Sequence, residues 1–304
     1  MQAFRHLPQQ KCAPLALAIG NFDGMHLGHQ ALLARLAEAS NEKNLTAAVM
    51  TFEPHPREFF SPQNAPARLT TLREKLEYFA EANIEKVFIC AFNQAFSQIS
   101  AQDFMLKVLR EKLNANTILV GEDFKFGAKR QGGVADFRAH NFDLISLPQV
   151  NFEGARVSST LVRNALAAGD LAQATQLLGR PYSISGKVVH GAQRGRTLGY
   201  PTANVHMRHE RPALTGVYAV KLDGLNAVAN LGVRPTIEGI PKLLLEVHVL
   251  DYAGDLYGKH AHVQFLQKIR EEMKFESLDA LKAQIGRDVV EAHTFFNLTA
   301  DKRR

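Results

Sequence analysis

Two short stretches of this chain gather residue types that handle phosphate. The first, residues 20–29 (GNFDGMHLGH), contains Gly20, Phe22, Asp23, Gly24 and Gly28 together with two histidines three positions apart, His26 and His29. A glycine-rich turn that opens into a helix lets backbone N–H groups approach an anion, and the helix N-terminus adds a positive dipole. Imidazoles at that spacing can both donate to charge that develops on a transferring phosphoryl group. A metal pair is the rival reading, but zinc wants a third protein ligand and no clear candidate is close in sequence.

The second stretch, residues 191–204 (GAQRGRTLGYPTAN), sets Gly191, Gly195, Arg196 and Gly199 ahead of Pro201, Thr202 and Asn204. Its glycines permit a backbone that embraces phosphate, and in an extended chain Thr202 and Asn204 share a face. Their side-chain oxygens then suit one hard cation, Mg2+ carried in with ATP. Downstream, residues 243–250 alternate so that Glu246 and His248 share one face while Leu245, Val247 and Val249 share the other. Glu246 there can orient or deprotonate an attacking hydroxyl. An ordinary exposed strand face would carry the same pattern.

Two further segments suit phosphate and a planar ligand. Residues 121–133 combine Phe124 and Phe126 with Lys129, Arg130 and several glycines, a loop able to pack an aromatic ring while steering a phosphate. Ser158, Ser159 and Thr160 open an expected helix whose hydroxyls and free N–H groups can hold phosphate, with Arg163 able to neutralise charge by bidentate contact. Without a ligand, the same serines would be an ordinary helix cap.

These segments need elements to position them. From residue 15 to about 178, short apolar runs at 15–19, 46–52, 86–92, 116–120 and 143–147 alternate with helix-length amphipathic stretches, which predicts a Rossmann-like α/β domain with a parallel sheet. Leu72, Leu76 and Phe79, and likewise Phe104, Val108 and Leu113, repeat at helical spacing and should be core faces. After residue 182 the texture changes to short alternating segments at 184–189, 216–222, 227–231, 243–250 and 261–266, which predicts a small antiparallel barrel. Ser277 should cap a terminal helix striped by Leu278, Leu281, Ile285, Val289, Ala292 and Phe296. The expected domains are therefore 1–182 and 183–304.

Composition narrows the class. The chain has 304 residues, 46% hydrophobic and 22% charged, and no apolar run approaches the ~18 residues of a membrane span. Two cysteines, Cys12 and Cys90, make no disulfide framework, and the N-terminus lacks the form of a secretory signal; a cytoplasmic protein is expected. The net charge of +6 is spread: residues 1–182 hold 19 basic and 17 acidic groups, leaving 17 and 13 for the rest. No basic stripe with interleaved aromatics is present, so neither a nucleic-acid nor a membrane partner is expected. No sequence feature specifies an oligomeric state.

The histidine segment resembles the signature of the nucleotidyltransferase superfamily, which joins a nucleoside monophosphate to an acceptor and releases pyrophosphate. With residues 51–56 (TFEPHP), 121–127 (GEDFKFG) and 157–163 (VSSTLVR), the N-terminal half is similar to prokaryotic bifunctional riboflavin kinase/FAD synthetases. The stretch PTAN at 201–204, GVY at 216–218, NLGVRPT at 230–236, LEVH at 245–248, LYG at 256–258 and the segment 268–275 with Arg270 and Glu272 resemble the riboflavin kinase module, a six-stranded barrel. The resemblance implies riboflavin, FMN, FAD and ATP as ligands. It also implies Mg-ATP binding by Thr202 and Asn204, Glu246 as base on the ribityl hydroxyl, and flavin contacts from Asp123, Phe124, Phe126, Arg130 and Arg270. Two stretches are shorter than the family pattern: residues 133–144 leave room for barely two helical turns, and the hairpin at 223–227 is tight. A different adenylyl- or cytidylyltransferase would share the histidines but lack the second site.

Overall fold

Continuous apolar runs that cannot expose either face to water form the centre of the N-terminal half. In the computed structural model, which describes residues 1–190, 199–207, 211–234 and 242–301, these runs become β1 (Gln2–Phe4), β2 (Leu15–Ile19), β3 (Thr46–Glu53), β4 (Lys86–Ala91) and β5 (Ala115–Gly121). Two-residue strands β6 (Lys125–Phe126) and β7 (Gly132–Gly133) make a small hairpin, and β8 (Asp143–Leu147) completes a six-stranded sheet in the order β1-β4-β3-β2-β5-β8, parallel throughout. The five long strands agree with the sequence reading to within a residue or two at their ends. β1, only three residues long, escapes it and pairs Gln2, Ala3 and Phe4 with Lys86, Val87 and Phe88.

Every residue of β2 is buried, and alternation divides it between two cores. Ala16 and Ala18 pack with Leu32, Leu33 and Leu36 of α1 (Leu27–Lys43). After a one-turn α2 (Pro56–Phe60), α3 (Leu72–Glu81) adds Phe79 to the same face, its Thr71 cap accepting from the Glu74 N–H in a capping box. Leu15, Leu17 and Ile19 face the other core, which begins after the short helices α4 (Gln94–Ser97) and α5 (Ala101–Asp103). There Phe104, Met105, Val108 and Leu109 project from a run, Phe104–Lys112, that is wound as a π-helix rather than an α-helix. Phe137 of α6 (Val134–Ala139) closes that face; at six residues, α6 is as short as its sequence interval demands.

β9 (Asn151–Phe152) and β10 (Ala155–Arg156) pair as a second small hairpin. The chain divides into two compact units, Met1–Pro66 with Thr70–Ser159 and Ala67–Leu69 with Thr160–Arg304. All but the first residue of α7 (Ser159–Ala167), and the whole of α8 (Leu171–Leu178), thus fall in the second unit, ahead of the change in sequence texture at 182. Gly169, between these helices, lies so close to Lys268 that a Cβ would come within 2.9 Å of its Cδ.

The second unit holds β11 (Ser183–Val189), β12 (Ala203–His206), β13 (Gly216–Leu222), β14 (Leu225–Arg234), β15 (Lys242–Val249) and β16 (His260–Arg270), closed as a barrel in the order β11-β12-β15-β14-β13-β16 with every pairing antiparallel. Its tight hairpin pairs Leu222 with Leu225 across Asp223 and Gly224, both left-handed as a two-residue turn of this twist requires. Tyr218, Ala229 and Val247 share one row and fill the barrel, with Tyr218 set edge-on to Phe265 at 5.3 Å. Burial, with a smaller contribution from Glu271, raises the Tyr218 phenol well above its usual range, and its hydroxyl donates to the Thr215 carbonyl at 2.7 Å. The opposite strand face packs Val217, Ala219 and Val228 against Ala292 and Phe296 of α9 (Leu278–Asp301). As expected, Ser277 caps this helix, its Oγ accepting from the Ala280 N–H at 3.1 Å.

Candidate active sites

The parallel sheet runs outward from β2, to β3 and β4 on one side and to β5 and β8 on the other, so its chain order reverses between β2 and β5. Ligands of such sheets bind beyond the carboxyl ends of the strands at that reversal. Four segments of this unit leave those ends: residues 20–29 after β2, 54–60 after β3, 92–98 after β4 and 122–133 after β5.

The turn after β2 is held in an unusual shape. Phe22 and Met25 adopt left-handed backbone with φ of 52° and 44°, as does Gly24 at 85°. For side chains other than glycine that costs on the order of 1–3 kcal/mol each, so the turn must be fixed by its surroundings. Both side chains are buried, and Phe22 meets Phe79 edge-on at 5.1 Å. Asp23, also buried, accepts from the Thr70 N–H at 3.0 Å and the Thr70 hydroxyl at 3.2 Å, while the Gly24 N–H donates to Thr70 Oγ1 at 3.0 Å. Ser159 Oγ closes the brace by donating to the Asp23 carbonyl at 2.8 Å. Phe22 and Asp23 therefore shape the turn from behind.

In front, His26 caps α1 through its carbonyl, which accepts from the His29 and Gln30 N–H groups at 2.8 and 3.0 Å. The two imidazoles stack with ring centroids 3.7 Å apart and planes 19° from parallel, so they present their edges together. Gly28 makes room: a Cβ there would stand 3.2 Å from two atoms of the His26 ring. Gly20 is similarly close to the Phe22 ring.

Of the remaining predicted residues in this unit, Ser158 and Ser159 are half-buried where α7 begins. Thr160 and Arg163 fall in the second unit, where Thr160 is exposed and Arg163 Nε donates to the Ala67 carbonyl at 2.6 Å. In the loop after β5, Asp123 pairs with Arg156 at 2.6 Å and Arg130 is exposed. Phe126 is a core residue: it stacks on Phe137 at 4.5 Å and leans on Phe104, while half-exposed Phe124 stacks on Phe126 itself at 5.8 Å. Gly127 turns the chain directly after Phe126, with φ of 71° and no room for a Cβ, which would lie 2.6 Å from the Ala101 nitrogen.

An aromatic group that the sequence reading did not single out lies at the ends of β3 and β4. Phe59, Phe60 and Phe92 contact one another edge-on at 5.2 to 5.6 Å, with Phe52 and Phe96 behind them. Phe60 is 66% exposed, an unusual position for a large apolar ring. The available signal was the doublet Phe59-Phe60, two residues beyond the TFEPHP segment. Beside it, burial pushes the Cys90 thiol up to about 12, so it stays protonated and inert.

In the barrel, register brings two of the predicted residues together. Asn204 of β12 lies directly opposite Glu246 of β15, and Glu246 lies directly opposite Asn230 of β14. Directly opposed residues share a face with Cβ atoms about 5 Å apart, so three amide and carboxylate groups form one row across adjacent strands. Val217 extends the row to the surface covered by α9. Asn204 is buried and Glu246 half-buried, while Leu245 and Val247 point into the barrel, as the alternation predicted. Thr202 is half-buried one position before β12, and Gly199 is left-handed with φ of 88°. Hard oxygens from Thr202 and Asn204 beside a carboxylate are the donor set Mg2+ accepts. Gly191, Gly195 and Arg196 lie outside the described residues.

Arg270, at the end of β16, is committed within the unit. Its Nε donates to Asp288 of α9 at 2.9 Å and its Nη2 to the same carboxylate at 2.8 Å, with Gln284 Nε2 donating to Asp288 as well. Asp288 is buried, so this bidentate pair fastens the terminal helix to the barrel. Its third direction, Nη1, donates to the Glu271 carbonyl at 3.0 Å.

A parallel sheet with a histidine turn at its reversal, joined in one chain to a closed barrel with a Thr-Asn-Glu constellation, defines a two-module transferase that uses nucleotides. The FAD synthetase family matches residues 9–161, and the riboflavin kinase family matches residues 178–296. The chain is 48% identical over 301 residues to the bifunctional riboflavin kinase/FMN adenylyltransferase of Escherichia coli strain K12, covering 96% of this chain and 95% of that one. The protein of the same description from Haemophilus influenzae is 45% identical over 291 residues, covering 93% and 94%. A solved structure described as a macrolide-efflux protein from Streptococcus pneumoniae superposes with a TM-score of 0.82 at 29% identity, covering 96% of this chain and 98% of that one. Among the described residues here, no helix is long and apolar enough to cross a membrane. The chain belongs to the bifunctional riboflavin kinase/FMN adenylyltransferase family.

Proposed function

We propose that this chain phosphorylates riboflavin to FMN with Mg-ATP in its C-terminal half, 183–304, and adenylylates FMN to FAD in its N-terminal half, 1–182, releasing pyrophosphate. The observation that carries the reading is the presence of two separate phosphate-type constellations: the stacked His26 and His29 at the sheet reversal, and Asn204 opposite Glu246 in the barrel.

For adenylyl transfer, the FMN phosphate oxygen attacks the α-phosphorus of ATP and pyrophosphate leaves. The edges of His26 and His29 and the N-terminus of α1 donate to the non-bridging oxygens, where negative charge accumulates. Gly20, Gly24 and Gly28 keep the backbone close, Phe22 and Asp23 hold its shape, and Ser158 and Ser159 serve the remaining phosphates. Half-exposed Phe124, carried on Phe126, and the group around Phe60 receive the isoalloxazine ring, with Asp123 and Arg130 at the loop margin. A planar, polarisable ring gains both apolar burial and stacking on such faces.

For phosphoryl transfer, Thr202 and Asn204 would hold the Mg2+ that arrives with ATP, and Gly191, Gly195, Arg196 and Gly199 are assigned to its phosphates. Glu246 accepts the proton of the ribityl hydroxyl as that oxygen bonds to the γ-phosphorus and ADP leaves; positioning and charge neutralisation supply most of the rate. Arg270 contributes to the flavin pocket by fixing α9 through Asp288. The activity belongs in a reducing, ATP-rich compartment, the cytoplasm. Purified protein given riboflavin, ATP and Mg2+ should yield FMN and then FAD by chromatography; formation of neither would overturn the reading.

A further inference from the structure

The Thr202–Asn204 segment must hold its oxygens in place although Thr202 precedes the first ladder pair of β12, Ala203 with Val247. Continued by one position, that register sets Thr202 opposite His248, the second polar residue on the Glu246 face. His248 Nδ1 lies 2.8 Å from the Pro201 carbonyl oxygen. A carbonyl only accepts, so Nδ1 carries the proton and donates. The proline ring already fixes φ at position 201 at about −65°. Holding its carbonyl fixes the peptide plane that leads into Thr202, so both backbone rotations ahead of the threonine are set. Tyr200 supports the clamp, with its ring edge-on to His248 at 5.5 Å and its hydroxyl 3.0 Å from the site a Cβ would take on Gly286 of α9.

We propose that His248 is a positioning residue for the kinase reaction: it grips the Pro201 carbonyl and thereby orients Thr202 and Asn204 toward Mg-ATP. The inference rests on the kinase reading of the C-terminal half. It assigns His248 an effect on nucleotide binding that a residue serving only the barrel's packing would not have.

The test uses the full chain and three substitutions, His248→Ala, His248→Phe and His248→Asn. Phenylalanine keeps a ring against Tyr200 but cannot donate, whereas the asparagine amide can donate to Pro201 from nearly the place of Nδ1. With a neutral hydrogen bond at stake, His248→Ala and His248→Phe should raise KM for Mg-ATP in FMN formation about 5- to 10-fold. The KM for riboflavin should stay within about twofold, and His248→Asn should recover most of the loss. FAD formation from supplied FMN monitors folding and should be unchanged. A His248→Phe protein with the original KM for Mg-ATP, or an asparagine variant no better than alanine, would overturn the proposal. Absence of FMN from the unaltered chain would instead overturn the kinase reading itself.

Discussion

In the proposed function the two halves of this chain meet the same demand, binding the phosphates of ATP, by different structural means. In the first half the ligand-facing groups sit on one irregular turn whose left-handed Phe22 and Met25 are held by burial and by the Asp23–Thr70 hydrogen bonds. In the second, they sit on regular strands, where pairing register alone aligns Asn204, Glu246 and Asn230. A turn can aim backbone N–H groups at an anion, which suits capture of a charged transition state. A ladder instead spaces side-chain oxygens at a fixed interval, which suits a cation and a base that must act on neighbouring atoms.

The sharpest way to break this division is to disable each half by itself. His29→Ala should lower FAD formation by at least about 10²- to 10³-fold, the usual cost of removing a donor to developing charge, while FMN accumulates. Asn204→Ala should do the opposite, abolishing FMN formation while supplied FMN is still converted to FAD. Chromatography of timed reactions reads both, and a folded variant that lost both activities would refute the separation.

A smaller effect tests how each half is held together. Asp288→Ala leaves the Arg270 guanidinium, whose side chain is 19% exposed, without its bidentate partner. Removing one member of a buried pair costs on the order of 3–5 kcal/mol. Calorimetry should show the barrel's transition moved to lower temperature, with FAD formation from supplied FMN retained below it. An unchanged profile would mean that the Arg270–Asp288 pair does not fasten α9.

Gly28→Ala separates stability from activity in the turn. Alanine is favoured over glycine inside a helix by about 0.8–1.0 kcal/mol, so the first unit should become no less stable. The added Cβ, however, stands 3.2 Å from His26 Cε1 and Nδ1, so that ring must shift by a few tenths of an ångström against His29. Adenylyl transfer should fall about 10-fold, since sub-ångström misplacement of a catalytic group is costly. A more stable protein with undiminished FAD formation would show that the stacked geometry is dispensable.

Much of this arrangement is readable from the residues, and what is not has a physical reason. The strands β2, β3, β4, β5 and β8 read as apolar runs because a sheet covered on both faces leaves no polar alternation to confuse them. β1 carries too few residues for any pattern, and β12 is short and shares its first two residues, Ala203 and Asn204, with the PTAN motif. Glu246 and His248 on one face follow from alternation within a single strand. That Asn230 joins their row needs the register between strands, which local sequence does not encode. The pairing of Arg270 with Asp288 joins a strand to a helix 18 positions away, and Phe126 resembles a ligand-facing aromatic until its contacts with Phe104 and Phe137 assign it to the core.

The smallest expected effect concerns the exposed phenylalanines, which distinguish the first half from the second most clearly at the level of the flavin. Phe60→Ala removes a ring that is already 66% in water, so little apolar burial is lost and stability should change by no more than about 0.5 kcal/mol. If that ring receives the isoalloxazine, stacking worth about 0.5–1.5 kcal/mol disappears, and KM for FMN in adenylyl transfer should rise about 2- to 12-fold. The KM for ATP in the same reaction, and riboflavin phosphorylation in the barrel, should not move. An unaltered KM for FMN would remove the group at the ends of β3 and β4 from the flavin site and leave the loop around Phe124 as its aromatic wall.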